Sequence, residues 1–323
     1  SNKHGPPPRP LRLHMLSAAQ HEAVTSEAAR PLQILAGPGS GKTRVLTSRG
    51  AHLVRDSAAP IAPERCVVVT FTNRAANEMR ARLETMIGAD RTRRLVLGTF
   101  HAVCVRFLRR WGTRLGLDPR FTIADTDDAR RLLRDVDRDA PVDATLAAIS
   151  RAKAHGWTPD ELRASAQHAP GSPAHTEHLA LCRTYAAYQQ QLRTSHALDF
   201  DDLLLLGVRL FREHPELTSH IDHVLVDEFQ DTNAVQYELL RRLSRHVSVV
   251  GDPDQSIYSW RHADVRHIER MHLDFPGLHR VLLEENYRST PQILEAALRV
   301  MQQDPHRIPK GLYTCLLYTS PSP

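Results

Sequence analysis

The chain has 323 residues, 41% hydrophobic and 24% charged, with a formal net charge of +5. That length suits a globular protein of two or three domains. No apolar run approaches the ~18 residues a spanning helix needs and no secretory segment opens the chain, so the expectation is a cytoplasmic protein with no membrane partner. Cys66, Cys104, Cys182 and Cys315 are far apart and lack a C-x-x-C pair, which argues against disulfides, zinc and iron-sulfur clusters.

Ser1 to Pro10 is Pro-rich, and residues 1–14 are expected to be disordered. The first apolar β-type run, Leu32 to Leu35, leads into AGPGSGKT at Ala36 to Thr43 and then a helix-like run, Arg44 to Val54. In that strand-loop-helix context the string reads as a phosphate-cradling loop rather than a glycine-rich turn that binds nothing. Gly39 and Gly41 let the backbone bend so that successive N–H groups face an anion, and the helix adds its positive end. Lys42 would reach the outer phosphates of a nucleoside triphosphate, and the Thr43 hydroxyl would ligate Mg²⁺. Ala36 stands where the strict pattern has Gly, a small-for-small change. The candidate nucleotide contacts are therefore Ala36, Gly37, Pro38, Gly39, Ser40, Gly41, Lys42, Thr43 and Arg44.

Further β-type runs follow at Cys66 to Thr70 and Leu95 to Leu97. Residues 91–120 hold eight arginines against the single Asp118, a local +7. That is either a phosphate-binding footprint or an arginine-rich solvated helix face, and both readings stand. Residues 102–198 lack strand patterns and read as mostly helical (Val103 to Leu115, Asp127 to Val136, Leu146 to Ala154, Glu177 to Leu192), with a loop at Ala169 to Ala174. His168, His175 and His178 have no carboxylate or Cys at ligand spacing, which argues against a metal site. Asp199 caps a helix with an acidic first turn and is expected to return the chain to the sheet.

Val224 to Val226 is short, apolar and β-branched, as a parallel strand buried on both faces should be. Asp227 and Glu228 sit at its carboxyl end, where open α/β sheets place their ligands. Alone, such a pair is more often a solvated loop; with the phosphate loop upstream, Asp227 is placed to hold Mg²⁺ and Glu228 to take a proton from an attacking water. Val247 to Val250 precedes the turn Gly251-Asp252-Pro253 and then Gln255. Val281 to Leu283 and Pro291 to Met301 supply one more strand and helix. Strands alternating with helices imply an α/β fold with a mainly parallel sheet covered on both faces.

Eight strings occur in one order: LSAAQHEAV (Leu16 to Val24), AGPGSGKT, VTFTNRAANEM (Val69 to Met79), GTFHA (Gly98 to Ala102), DFDDLL (Asp199 to Leu204), VDEFQDTN, VVGDPDQSIYSWR (Val249 to Arg261) and EENYRST (Glu284 to Thr290). Together they resemble the UvrD/Rep-type superfamily 1 DNA helicases. The resemblance implies a RecA-like P-loop NTPase sheet with a helical insertion domain and the start of a second RecA-like domain. It also implies 3′-to-5′ ATP-driven translocation on single-stranded DNA, with ATP and Mg²⁺ as cofactors and single strands and single-strand/duplex junctions as partners. By the same resemblance Gln20 reads adenine, Gln255 senses the γ-phosphate, Arg288 is an arginine finger and Tyr287 stacks on the base. The matching segments divide the chain into a motor domain (15–101 and 199–278), a helical accessory domain (102–198) and the beginning of a second motor domain (279–314).

Single strands are held by aromatic faces with hydroxyl, amide and basic neighbours. Phe71, Thr72 and Asn73 form one such cluster; Thr99, Phe100 and His101 a second; Tyr258, Trp260 and Arg261 a third. Residues 315–323, CLLYTSPSP, read as translated sequencing adaptor. With no Met at residue 1, the chain is expected to be a fragment that hydrolyses ATP poorly, from a helicase or from a recombination-type helicase-nuclease subunit, the further alternative being a nucleotide- or DNA-binding module without turnover.

Overall fold

The computed structural model describes residues 13–166, 169, 171–256, 263–303 and 310–316. The start up to residue 12, His168, the cluster Tyr258, Trp260 and Arg261, and the tail from 317 lie outside the described residues. Leu13–Met15 forms a 3₁₀ turn, so residues 13 and 14 do not belong to an unstructured start. In chain order the strands are β1 (Leu32–Ala36), β2 (Cys66–Thr70), β3 (Val96–Thr99), β4 (Thr122–Ile123), β5 (Ala197–Leu198), β6 (His223–Val226), β7 (Val247–Gly251), β8 (His279–Leu283), β9 (Glu285–Asn286) and β10 (Tyr313–Thr314). The α-helices are α1 (Ala18–Thr25), α2 (Lys42–Ala51), α3 (Asn73–Ile87), α4 (Ala89–Arg94), α5 (Phe100–Trp111), α6 (Thr126–Val136), α7 (Val142–Ala154), α8 (Pro159–Ala164), α9 (Pro173–Thr194), α10 (Phe200–Glu213), α11 (Ala234–Leu243), α12 (Arg266–Asp274) and α13 (Pro291–Met301).

The chain groups into two compact units, 1–100 with 218–232 and 243–323, and 101–217 with 233–242. The first is built on six parallel strands in the order β3-β2-β6-β7-β1-β8. β1, β2, β6 and β7 are buried along their whole length, which is why they are mostly apolar rather than alternating, with Gln33, Thr70, His223 and Ser248 as buried polar exceptions. Leu32, Ile34, Val45, Leu46, Val68, Leu83, Leu225 and Val250 form the core that α2 and α3 close over the sheet. β8 pairs with β1 from Leu32 opposite His279 to Ala36 opposite Leu283. The strand that sequence assigned to a second domain is thus the edge of this same sheet.

Under the sheet, α2 carries a fully buried arginine. Arg49 Nε donates to Ser248 Oγ at 2.6 Å, and its remaining nitrogens donate to the carbonyls of Ala23, Val24, Ser26 and Glu27. His223 continues this chain, with Nδ1 3.1 Å from the Ala28 carbonyl and Nε2 2.8 Å from Ser248 Oγ. A carbonyl only accepts, so the proton sits on Nδ1, and Ser248 donates to Nε2 while accepting from Arg49. Burial and the Arg49 charge hold the His223 pKa well below its usual 6.5. The unfolded histidine takes up a proton as pH falls through about 6.5 and the folded one does not, so stability is full above that pH and lost below it. His223→Gln is expected to flatten the acid limb of stability by up to about 1.4 kcal/mol per pH unit. Urea midpoints between about pH 5.5 and 7.5 check this, and an unchanged slope would rule it out.

The second unit packs Leu133, Ile149, Leu162, Tyr185, Tyr188 and Leu192 from α6 to α9 into one core. It is not wholly helical: β4 and β5 pair in parallel, Thr122 opposite Ala197 and Ile123 opposite Leu198. Two residues each are too few for any periodicity to announce. Asp199 caps α10 as expected, accepting from the Asp202 amide at 2.9 Å, but α10 groups with the helices of this unit instead of the sheet.

Candidate functional site

β6, β7 and β1 are consecutive in the sheet, so the loops leaving their carboxyl ends emerge side by side. These loops are the glycine-rich string, the acidic pair and the turn to Gln255. Gly39 and Gly41 adopt left-handed φ of 68° and 84°, which a side chain would strain. Five successive carbonyls of the glycine-rich loop are hydrogen-bonded, three of them to residues outside the loop and its helix. Gly37 O accepts from Ser40 Oγ at 2.7 Å, Pro38 O from Asn286 Nδ2 at 2.6 Å and Gly39 O from the Tyr287 amide at 3.0 Å. Ser40 O accepts from Gln20 Nε2 at 2.9 Å and Gly41 O from the Val45 amide at 2.9 Å. The Gly37 and Ser40 amides donate to the Leu283 and Gly37 carbonyls, so the other N–H groups of the loop and the first turn of α2 are what remain for an anion, and the residues present fit a bound polyphosphate.

Lys42 Nζ donates to Gln255 Oε1 at 2.9 Å and lies 3.3 Å from Glu228 Oε2. Residues 213 and 186 positions downstream thus meet the same ammonium. Asp227 is buried; burial first and the neighbouring Glu228 second push its carboxyl up to about 6, while a hydrogen bond from Thr43 pulls the other way. The Thr43 hydroxyl and the Asp227 carboxylate are hard oxygen donors that suit Mg²⁺, which keeps waters and takes substrate phosphates as its other ligands. Glu228 occupies the left-handed region at φ 47°, unusual for a side-chain-bearing residue, and remains partly exposed.

Gln230, which the sequence reading passed over, bridges two of these loops. Its Nε2 donates to Glu228 Oε2 at 2.9 Å and its Oε1 accepts from the Asp252 amide at 3.0 Å. A Cβ on Gly251 would lie 2.7 Å from Gln230 Oε1, so the side chain fits only because that position is glycine. Its place two residues beyond the acidic pair was the available signal.

Gln20 is buried and both ends of its amide are engaged: Oε1 accepts from the Ser17 amide at 3.3 Å while Nε2 donates to the Ser40 carbonyl. Tyr287 and Arg288 are exposed over the Gly39 turn, where an added Cβ would come within 2.6 Å of Arg288 Cβ. Ala36 is the buried last residue of β1, and Arg44 points away, donating to the Met15 carbonyl at 3.1 Å.

The first two aromatic clusters follow β2 and β3, whose ends pair at Thr70 opposite Thr99. Phe71 is partly exposed and Phe100 buried, their ring centroids 5.5 Å apart and nearly perpendicular. Phe100 is therefore a core ring here, against the expectation of a free stacking face. Thr72 caps α3, accepting from the Ala75 amide at 3.1 Å, and Asn73 is the first residue of that helix. His101 belongs to the second unit, where its ring meets Phe200 edge-on at 5.9 Å.

Several of the clustered arginines are committed within the protein: Arg93 to Asp90, Arg94 to Glu64, Arg114 to Glu216 and Arg120 to Asp118. Arg109 lies 3.9 Å over the Phe121 ring. These partners favour the reading of a solvated face over a phosphate footprint. Cys66 and Cys104 are buried, which pushes both thiols up to about 12.

A parallel sheet whose inner strands end in a phosphate loop and an acidic pair defines a P-loop nucleotide-binding α/β protein. Residues 16–276 match the UvrD/REP helicase N-terminal domain, and the chain belongs to that family. It is 42% identical over 309 residues to an ATP-dependent DNA helicase PcrA of Leuconostoc citreum, an alignment covering 91% of this chain and 40% of the relative. It is 39% identical over 316 residues to the protein of that name in Staphylococcus aureus, covering 94% of this chain and 42% of the relative. With the Staphylococcus epidermidis protein of that name it shares 39% identity over 313 residues, covering 93% and 41% respectively. The chain thus spans about two fifths of the length of these relatives. No described helix is long and apolar enough to cross a membrane.

Proposed function

We propose that this chain carries the ATP-binding motor of a DNA helicase that moves 3′ to 5′ along single-stranded DNA in the cytoplasm. The observation that supports this most is the meeting of Lys42, Glu228 and Gln255 within 3.3 Å, beside a loop whose carbonyls are turned away. In this reading Lys42 leaves Glu228 to bind the outer phosphates of ATP. Glu228 then accepts a proton from the attacking water, and Gln255 registers whether the γ-phosphate is present. Thr43 and Asp227 would hold Mg²⁺, which supplies charge neutralisation on the phosphates. Arg288 and Tyr287 complete the site as phosphate and base contacts, and Gln20 turns its amide from Ser40 to the adenine edge.

The strand-end residues Phe71, Thr72, Asn73 and Thr99, with His101 and the Tyr258, Trp260 and Arg261 cluster, are the proposed DNA contacts. Phe100 supports them as packing. Beyond β8, residues 284–314 bring Tyr287 and Arg288 to the nucleotide loop and are read as the start of the second motor domain.

Titration with a fluorescent ATP analogue tests the reading. Mg²⁺-dependent binding is expected, weakened roughly ten- to hundredfold by Lys42→Met, because a charge-assisted hydrogen bond to phosphate is lost. Binding indifferent to that substitution would overturn it. A duplex with a single-stranded 3′ tail is the expected helicase substrate, and preference for a 5′ tail would reject the direction.

A further inference from the structure

Lys310 lies outside every motif considered so far, yet its ammonium is fully buried between two carboxylates. It donates to Asp252 Oδ1 and stands 3.1 Å from Asp254 Oδ2. Asp252 is itself fully buried, and its second oxygen, Oδ2, accepts from Gln255 Nε2 at 2.6 Å. An amide has one donating and one accepting end, so engagement of the nitrogen turns the oxygen the other way. That oxygen accepts from Lys42 Nζ at 2.9 Å. Three hydrogen bonds in series therefore connect Lys310 to the lysine of the phosphate loop.

The backbone delivers Lys310 to this place. β10 pairs with β9, Tyr313 opposite Glu285 and Thr314 opposite Asn286. The Tyr313 amide donates to the Glu284 carbonyl at 3.0 Å, and the Gly311 amide to Glu284 Oε1 at 2.5 Å. β9 runs directly into Tyr287 and Arg288, so the segment that positions Lys310 is tied to the residues standing over Gly39.

We infer that Lys310 is a positioning residue for γ-phosphate recognition, neutralising Asp252 and Asp254 so that Asp252 fixes the orientation of the Gln255 amide. The inference rests on the reading of this cleft as an ATP site. Without Lys310, the buried Asp252 keeps the Asp254 amide and Gln255 as neutral donors but loses its cationic partner, so negative charge one hydrogen bond from Gln255 repels the most negative end of the ligand and the amide is held less firmly. ADP, which lacks that end, is affected less.

The test uses the whole chain and compares the affinities of a non-hydrolysable ATP analogue and of ADP, both with Mg²⁺. Lys310→Met is expected to weaken the ATP analogue by about tenfold more than ADP, and Lys310→Arg to restore most of the discrimination. Lys310→Met combined with Asp252→Asn removes the buried charge that Lys310 offsets, guarding against misfolding, and is expected to lose the discrimination as well. A ratio unchanged in these variants, whatever happens to melting temperature, would reduce Lys310 to a structural ion pair. Failure of the unsubstituted chain to bind either nucleotide would instead reject the ATP site, and the inference with it.

Discussion

Glu228→Gln is expected to slow ATP hydrolysis by about 10²–10⁴-fold while leaving nucleotide affinity unchanged or tighter. Glu228 is the carboxylate that stays partly exposed at the end of β6, held in a left-handed backbone conformation by its surroundings. Its buried neighbour Asp227 already accepts from Thr43 and from the Glu228 amide, the latter at 3.0 Å, which leaves Glu228 to meet a water. Lys42 is 3.3 Å from Glu228. The neutral amide loosens that pair, so the ammonium is more available to ATP. Single-turnover phosphate release with single-stranded DNA present, set beside equilibrium binding, separates the two effects. A rate within a few-fold of the unsubstituted chain would remove Glu228 as the base; a parallel loss of affinity would make it a binding residue.

The other large effect is on stability. Lys153→Met is expected to cost about 3–5 kcal/mol, because it leaves buried carboxylates uncompensated. Lys153 Nζ is wholly inaccessible, 2.6 Å from Asp199 Oδ2 and 2.7 Å from Asp202 Oδ1. Tyr188 Oη donates to Asp199 at 3.1 Å and Gln189 Nε2 to Asp202 at 3.1 Å, but neither carries charge. Burial, then the nearby Asp199, pushes the Asp201 carboxyl up to about 6, and burial likewise raises Asp202. A carboxyl raised in the folded state favours folding when protonated, and that contribution is lost as pH rises through the folded value. The Lys153→Met deficit should therefore be larger at about pH 8 than at about pH 5. Adding Asp199→Asn and Asp202→Asn is expected to recover much of it, since removing a whole buried ion set is often close to neutral. Urea denaturation followed by circular dichroism reads both results, and a loss under about 1 kcal/mol would sink the argument.

The chemistry most legible in sequence was the chemistry carried by contiguous residues. An apolar run followed by glycines and Lys42, or by Asp227 and Glu228, places its functional atoms through one strand end, and the structure keeps those runs as β1 and β6. What escaped was anything assembled across distance. Lys153 meets partners 46 and 49 positions away and Lys310 one 58 away, separations no local pattern encodes. Thr72 was read only as a hydroxyl for DNA, and its bond from the Ala75 amide adds a role as the cap of α3 that the sequence reading did not raise. Phe100 was misjudged because an aromatic at a strand end looks the same in sequence whether its ring faces solvent or Phe71. The sheet edge was missed for a related reason: which strand lies beside β1 depends on chain crossovers, not on the composition of β8.

The outward-held carbonyls of the glycine-rich loop have a thermodynamic consequence. Their tethers come from Gln20 on one flank and from Asn286 and Tyr287 on the other, so the loop is shaped when the polypeptide folds. Much of the conformational entropy of forming a cradle has then been lost before a nucleotide arrives. Capture should accordingly be quick and accompanied by little heat-capacity change from loop ordering, with slow rearrangements reserved for later steps of the cycle.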